Sequence, residues 1–162
     1  MKAQPNRLLR IKEETKVGAF NFFTAPPLLH LLAGSHVVNR RTKRILVVDD
    51  DPDIRQVLLD RMSSFGYTVE TAIDGRAALD ALRRGGFDGM LLDMRMPKID
   101  GLEVLRRTRK IHPDLPVVVV TALSVQQQAD QAVAEGARAY LLKPFDAPQL
   151  KQVVEQWFGP AA

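Results

Sequence analysis

The sequence has no cysteine among its 162 residues, which excludes disulfides, thiolate metal sites and thiol catalysis together. Its histidines are scattered without the spacing of a metal site; they are His30, His36 and His112. An apolar stretch at residues 17–38 is broken by asparagine, two prolines and histidine. We therefore expect neither a membrane span nor a signal peptide.

Positive charge is concentrated near the start of the chain. Residues 1–44 hold nine lysines or arginines against two glutamates, a net charge of +7. Residues 45–162 hold fourteen basic against seventeen acidic residues, a net charge of −3. The larger part of the chain is therefore acidic, which argues against direct DNA binding.

Residues 1–42 form a basic and then apolar N-terminal extension without a clean hydrophobic period. We expect this extension to be irregular. It is either disordered or absent from a native product whose translation starts at Val37 or Val38. Residues 43–158 are expected to form one domain with its own core.

From Arg44 onward, short β-branched runs alternate with helical patterns, as in βαβ units around a parallel sheet. Several runs are apolar without alternation, which is typical of strands covered on both faces. The pattern predicts five helices and five strands. The predicted strands are Arg44 to Asp49, Tyr67 to Thr71, Gly89 to Leu92, Pro116 to Val120 and Ala139 to Leu142.

Four aspartates stand where helices should begin, and we interpret them as N-caps rather than as ligands. They are Asp51, Asp74, Asp100 and Asp146. Pro52 follows the first of them, at the first helical position. Capping-box spacing is found in the pairs Asp100 with Glu103, Ser124 with Gln127, and Asp146 with Gln149.

Other polar residues end the predicted strands. Asp49 and Asp50 end the first strand, and the third, fourth and fifth strands end at Asp93, Thr121 and Lys143. Such a sheet binds ligands beyond the carboxyl ends of its strands. Three carboxylates gathered there repel one another and imply a cation, and oxygen ligands favour Mg²⁺.

Four segments, in this order and spacing, resemble the receiver domain of bacterial two-component response regulators. They read ILVVDD, GMLLDMRMP, VVVVTA and YLLKPF. The resemblance covers Lys43 to about Phe158. It implies a flavodoxin-like (βα)5 fold, a doubly wound parallel sheet of five strands in the order 2-1-3-4-5, preceded here by the irregular extension. Because little sequence follows the last helix, we expect a stand-alone, single-domain receiver.

The resemblance also implies roles for individual residues. Asp93 is the expected phosphoacceptor, which becomes 4-aspartylphosphate. Asp50 would ligate Mg²⁺ directly, Asp49 mainly through water, and Arg95 through its backbone carbonyl. Lys143 would place its charge against the carboxylate and then against the phosphoryl oxygens.

A switch is implied as well, in which Thr121 donates its hydroxyl to the phosphoryl group and Tyr140 moves inward. The altered surface would comprise the fourth helix, fifth strand and fifth helix. Many family members dimerise there through an acidic pair, which Arg138 and Ala139 replace in this chain. The bond from Lys143 to Pro144 is usually cis in relatives.

Three residues near the expected acceptor should tune how long a phosphoryl group lasts. Arg95 and Leu123 flank the path of the attacking water, where a bulky cation and an apolar side chain should impede it. We therefore expect slow self-dephosphorylation. Ala122 is small and should leave room for the phosphodonor.

The expected function is that of a cytoplasmic phosphoprotein in a two-component phosphorelay. A sensor histidine kinase or histidine phosphotransfer protein would donate the phosphoryl group, and the chain would then relay it or bind an unknown protein target. We expect no enzyme activity beyond its own phosphorylation and slow dephosphorylation. One alternative is an aspartyl-phosphate phosphohydrolase, although Asp49 and Asp51 match only half of the DxDx pattern of those enzymes. The other is a phosphorylation-independent binding module.

Overall fold

The computed structural model of the protein describes residues 9–11, 41–122 and 126–161. Leu123 and Ser124, which carry one tuning prediction and one capping-box prediction, lie outside these residues. Among the described residues, no helix has both the length and the apolar character needed to cross a membrane.

One six-stranded sheet organises the structure, with helices on both of its faces. The strands are β1 (Leu9–Ile11), β2 (Arg44–Val48), β3 (Thr68–Ala72), β4 (Gly89–Leu92), β5 (Val117–Ala122) and β6 (Ala139–Lys143). The helices are α1 (Pro52–Ser64), α2 (Gly75–Arg84), α3 (Gly101–Ile111), α4 (Gln126–Ala134) and α5 (Ala147–Phe158). The predicted bounds of Gly89 to Leu92 match β4, and those of the other four predicted strands differ from the observed ones by at most two residues at either end.

The strands lie in the order β1-β6-β5-β4-β2-β3. Strands β2 to β6 pair parallel with one another, and the order of these five along the sheet is the predicted 2-1-3-4-5. The flavodoxin-like prediction is thus confirmed, and the βαβ crossovers account for the parallel pairing.

Strand β1 is a feature that the sequence did not predict. It lies within the extension expected to be irregular, and it pairs antiparallel with β6, with Arg10 opposite Tyr140. The pairing uses backbone N–H and C=O groups at a sheet edge, so it leaves no side-chain pattern to read in a three-residue strand.

The core has two layers because alternate residues of each strand face opposite sides of the sheet. On β2, Ile45 and Val47 pack into the layer formed with α1 and α5, whereas Leu46 and Val48 pack into the layer formed with α2, α3 and α4. All four are at most 1% exposed. This burial on both sides explains the apolar runs without alternation.

The four predicted N-caps are confirmed. Each aspartate accepts a backbone N–H from the first turn of its helix; the residues are Asp51, Asp74, Asp100 and Asp146. A full capping box forms only at Asp146 with Gln149 among the described helices. Glu103 does not complete a box with Asp100, because its carboxylate is engaged by Arg107 Nε at 2.7 Å. These four aspartates are therefore engaged at helix starts, and the candidate site is formed by the polar residues at the strand ends.

Gly89 opens β4 at a point of close contact with α5. A Cβ added at Gly89 would lie 2.5 Å from Cδ1 of Phe158, well inside van der Waals contact. We predict that Gly89→Ala lowers the free energy of unfolding by about 1–3 kcal/mol, the usual cost of overpacking, as measured by urea unfolding. Phe158→Leu should recover part of this loss in the double variant. If the loss of stability in the double variant equals the sum of the losses in the two single variants, the contact between the two residues is contradicted.

Candidate functional site

Three carboxylates converge at the carboxyl ends of β2 and β4. Side-chain oxygens of Asp49, Asp50 and Asp93 all lie within 4.8 Å of one another. Asp49 and Asp93 are only 1% and 6% exposed, whereas Asp50 is exposed and stands at the opening of the site. The structure therefore brings together the three acidic residues that the sequence predicted, in a position where they repel one another.

Lys143 supplies the opposing charge from the end of β6. Its Nζ donates to Asp49 Oδ2 at 2.6 Å and to Asp93 Oδ1 at 3.2 Å. Burial lowers the pKa of Lys143, but its hydrogen bond to Asp49 and the charges of Asp93 and Asp49 outweigh burial, so the pKa is raised overall. Lys143 is therefore held in its charged form.

Asp93 has an electrostatically unfavourable position in spite of this partner. Burial raises the pKa of the Asp93 carboxyl above its usual range; the charge of Lys143 opposes the rise, and that of Asp49 adds to it. The carboxylate also accepts the backbone N–H of Arg95 at 2.9 Å through Oδ2. Both oxygens of Asp93 thus have fixed partners, which orient the group.

The backbone around Asp93 is fixed by its neighbours. Its N–H donates to the carbonyl of Val48 at 2.9 Å, which continues the β2–β4 ladder beyond Leu92. At the start of α3, Gly101 comes so close that an added Cβ would collide with the Asp93 carbonyl oxygen. The absence of a side chain at Gly101 lets α3 start directly against the backbone of Asp93 and Met94.

Thr121 lies near the end of β5, between the strands that carry Asp93 and Lys143. It is fully buried, and its Oγ1 has no hydrogen-bond partner among the described residues. A buried hydroxyl without a partner is costly. It is a donor available to an oxygen that enters the site.

The predicted switch and tuning residues have mixed environments. Tyr140 is 1% exposed and packs with the α2–α3–α4 layer, so it is already inward in this structure. Ala122 is exposed beside Thr121. The exposed Arg95 lines a cavity of about 420 Å³ that also includes Asp50. The peptide bond from Lys143 to Pro144 is cis, as expected.

The contact of Arg55 with the backbone beside the acidic cluster was not predicted from the sequence. Arg55 on α1 donates from Nη1 to the carbonyls of Asp49 at 2.9 Å and Asp50 at 3.0 Å. Its only signal in the sequence is a basic residue near the N-terminus of a helix, where acidic residues are the more favourable choice.

The buried Asp93 carboxylate should reduce stability in the absence of a divalent metal. We predict that Asp93→Asn raises the free energy of unfolding at neutral pH by about 1–3 kcal/mol, because it removes an incompletely compensated buried charge. The raised pKa means that native Asp93 binds a proton more readily than unfolded Asp93. Wild-type stability therefore gains relative to the variant as pH falls, and the difference should shrink toward about pH 4.

Urea unfolding in a chelator at several pH values measures this difference. Asp60→Asn is the control, since Asp60 is exposed on α1 and its side chain bonds only Gln56 among the described residues. Its effect should stay within about 0.5 kcal/mol. A loss of stability in Asp93→Asn at neutral pH would contradict the electrostatic account.

Comparison with known proteins agrees with the fold and with the residues at the strand ends. Residues 45–155 match the model of the response regulator receiver domain. The chain is 45% identical over 107 residues to the response regulator MprA of Mycolicibacterium vanbaalenii, an overlap of 66% of this chain and 46% of that protein. The chain thus spans about half the length of the curated relatives it matches.

Solved structures agree with this. The response regulator TrrA from Thermotoga maritima in complex with Mg²⁺-BeF is 38% identical, with a TM-score of 0.65 over 70% of this chain and 97% of that one. The receiver domain of the sensor histidine kinase PA1611 from Pseudomonas aeruginosa, with magnesium in its active-site cleft, is 30% identical, with a TM-score of 0.68 over 73% and 98%. Sequence, fold and strand-end residues thus agree, and the chain belongs to the receiver-domain family of two-component response regulators.

Proposed function

We propose that this chain is a phosphoacceptor in which Asp93 receives a phosphoryl group from a phosphohistidine. The donor would be a sensor histidine kinase or a histidine phosphotransfer protein. The observation that carries the proposal is the Asp93 carboxylate, which is buried and is oriented by Lys143 and by the Arg95 N–H. Its oxygen lies within 4.8 Å of carboxylate oxygens of the two other acidic residues of the cluster. Burial excludes water, and the fixed partners orient an oxygen for attack.

The site residues fit Mg²⁺. Their ligand atoms are hard carboxylate oxygens, and the charge of Lys143 does not fully neutralise three carboxylates. Asp50, Asp93 and the Arg95 carbonyl would hold the ion, with Asp49 acting mainly through water. When bound, it would supply positive charge to the carboxylates and to the phosphoryl oxygens.

The chain's own residues account for the rest of the transfer. A carboxylate oxygen of Asp93 attacks phosphorus, the P–N bond to the donor imidazole breaks, and its electron pair returns to the nitrogen. Lys143 then shifts its charge toward the phosphoryl oxygens, and Thr121 Oγ1 gains the partner that it lacks. The product is an acyl phosphate, 4-aspartylphosphate.

The proposed output is a change in the surface formed by α4, β6 and α5, through Thr121 and the neighbouring Tyr140. The chain would use this change to bind a protein partner, or it would pass the phosphoryl group on in a phosphorelay. Arg138 is exposed and Ala139 is buried where many relatives have their acidic pair, so a dimer held by that pair is not expected. The proposed location is the cytoplasm, where such donors act.

The contacts argue against the phosphohydrolase alternative. Asp49, the first acid of the partial DxDx pattern, is 1% exposed and paired with Lys143. Asp51, the second, accepts N–H groups from Asp53 and Ile54 as a helix cap. Asp51 is thus held as a helix cap and is not placed to act as the general acid of that pattern. We propose that the chain catalyses only its own phosphorylation and slow dephosphorylation.

The first test is phosphorylation by acetyl phosphate, a small phosphodonor, with intact-mass detection. We predict one Mg²⁺-dependent phosphoryl addition to the full chain, lost in Asp93→Asn. Asp51→Asn is a matched control, because asparagine is also a good N-cap and this residue lies outside the proposed chemistry. It should be phosphorylated like the wild type.

Phosphorylation that persists in Asp93→Asn would refute the assignment of the acceptor. If the wild type binds Mg²⁺ but accepts no phosphoryl group from acetyl phosphate or from histidine kinases, the phosphoacceptor proposal fails. The chain would then be a phosphorylation-independent binding module.

The second test concerns the lifetime of the phosphoryl group. We predict decay over minutes or longer, because the bulky Arg95 lines the site opening and should hinder the attacking water. Leu123 is included on the sequence-based expectation alone, since it lies outside the described residues. Arg95→Asn combined with Leu123→Glu should accelerate decay several-fold, as followed by intact mass after the donor is removed. Arg83→Asn, on the distant α2, is the control. An unchanged decay rate in the double variant would refute the tuning hypothesis.

A further inference from the structure

Arg55 makes an unusual use of its charge. It lies on the first turns of α1, close to the acidic cluster, yet Nη1 donates to the two consecutive carbonyls of Asp49 and Asp50 rather than to their carboxylates. An arginine paired with a carboxylate would neutralise it. This arginine instead engages the backbone and leaves the carboxylate oxygens to the site.

The two carbonyls lie where the chain leaves the sheet. The last register pairs of β2 are formed by Val48, with Ala72 on one side and Leu92 on the other. Beyond them the Asp49 N–H still donates to the Ala72 carbonyl, at 3.3 Å. The carbonyls of Asp49 and Asp50 therefore have no strand partners, and Arg55 satisfies both.

The carboxylates of Asp49 and Asp50 differ in the number of hydrogen bonds that they accept. The Asp49 carboxylate accepts the Asp51 N–H at 3.0 Å and the Lys143 ammonium at 2.6 Å. The Asp50 carboxylate makes no hydrogen bond or ion pair with another of the described residues, and its side chain is exposed. The direction of its side chain therefore depends on its backbone, and the carbonyl contact with Arg55 fixes that backbone.

We propose that Arg55 is a positioning residue for the metal site. By holding two successive peptide groups, it fixes the direction in which the Asp50 carboxylate leaves the backbone, toward the oxygens of Asp49 and Asp93. This inference rests on the proposed Mg²⁺ site. Groups that orient ligands without touching the metal typically change metal affinity by about 10- to 100-fold when they are removed.

The direction in which removal of Arg55 changes the Mg²⁺ affinity distinguishes a positioning role from a purely electrostatic or purely structural one. As a nearby positive charge, Arg55 opposes a bound cation, so its removal would tighten Mg²⁺ binding. As a positioning residue it favours the cation, so its removal weakens binding. If Arg55 only stabilised the fold, its removal would lower the free energy of unfolding and leave the Mg²⁺ affinity of the folded protein unchanged.

The experiment measures the Kd for Mg²⁺ by NMR shift titration of the full chain, with thermal unfolding in parallel. We expect Arg55→Met to raise the Kd about 10-fold or more, and phosphorylation by acetyl phosphate to approach the wild-type rate once Mg²⁺ is saturating. Arg83→Met is the matched control; Arg83 is exposed on α2 and paired with Asp80. Its Kd should equal that of the wild type.

Arg55→Lys keeps the charge but has a shorter reach and no planar fork. We expect a Kd between those of the wild type and Arg55→Met, and this variant decides the matter if Arg55→Met does not fold. An unchanged or lower Kd in the folded Arg55 variants would overturn the positioning role. A wild type that binds no Mg²⁺ would instead overturn the proposed metal site itself, so the two failures are distinguishable.

Discussion

The repulsion among three carboxylates at one end of the sheet is the constraint on which the site depends. Two of them, Asp49 and Asp93, are almost fully buried, where a charge is expensive unless it is paired. Lys143 pairs with both, but one positive charge does not balance three negative ones. The fold therefore maintains a local excess of negative charge, and the two-layered apolar core offsets its cost.

The strand order determines how this charge pairing is achieved. Lys143 ends β6 and Asp93 directly follows β4, with β5 between these strands, and Asp49 directly follows the next strand, β2. Adjacent strands are about 4.8 Å apart, so only a long side chain that crosses the end of β5 reaches both carboxylates. Lysine provides that length. The residue that pairs with it in register on β5 is Ala122, whose small side chain leaves the path open.

Features with a local signal were predictable from the sequence, and features made by long side chains or bare backbone were not. Apolar runs predicted the parallel sheet, and the parallel arrangement brought Asp49, Asp93 and Lys143 to one edge. Cap aspartates were separable because a helix start has its own signature. The carbonyl contacts of Arg55 and the pairing of β1 with β6 depend on directions and distances that appear only in three dimensions.

A phosphoryl group on Asp93 would give the unpartnered Thr121 hydroxyl an acceptor, and magnitudes indicate that no single contact is sufficient for a switch. Moving a two-state equilibrium from 1:99 to 99:1 requires about 5.5 kcal/mol of differential interaction. A hydrogen bond from the unpartnered Thr121 hydroxyl to a charged oxygen contributes about 1.5–3 kcal/mol. Tyr140 is already buried, so its inward position adds little by itself. A complete switch would therefore require Lys143 to change its partner together with Thr121, which would couple the end of β6 to the end of β5.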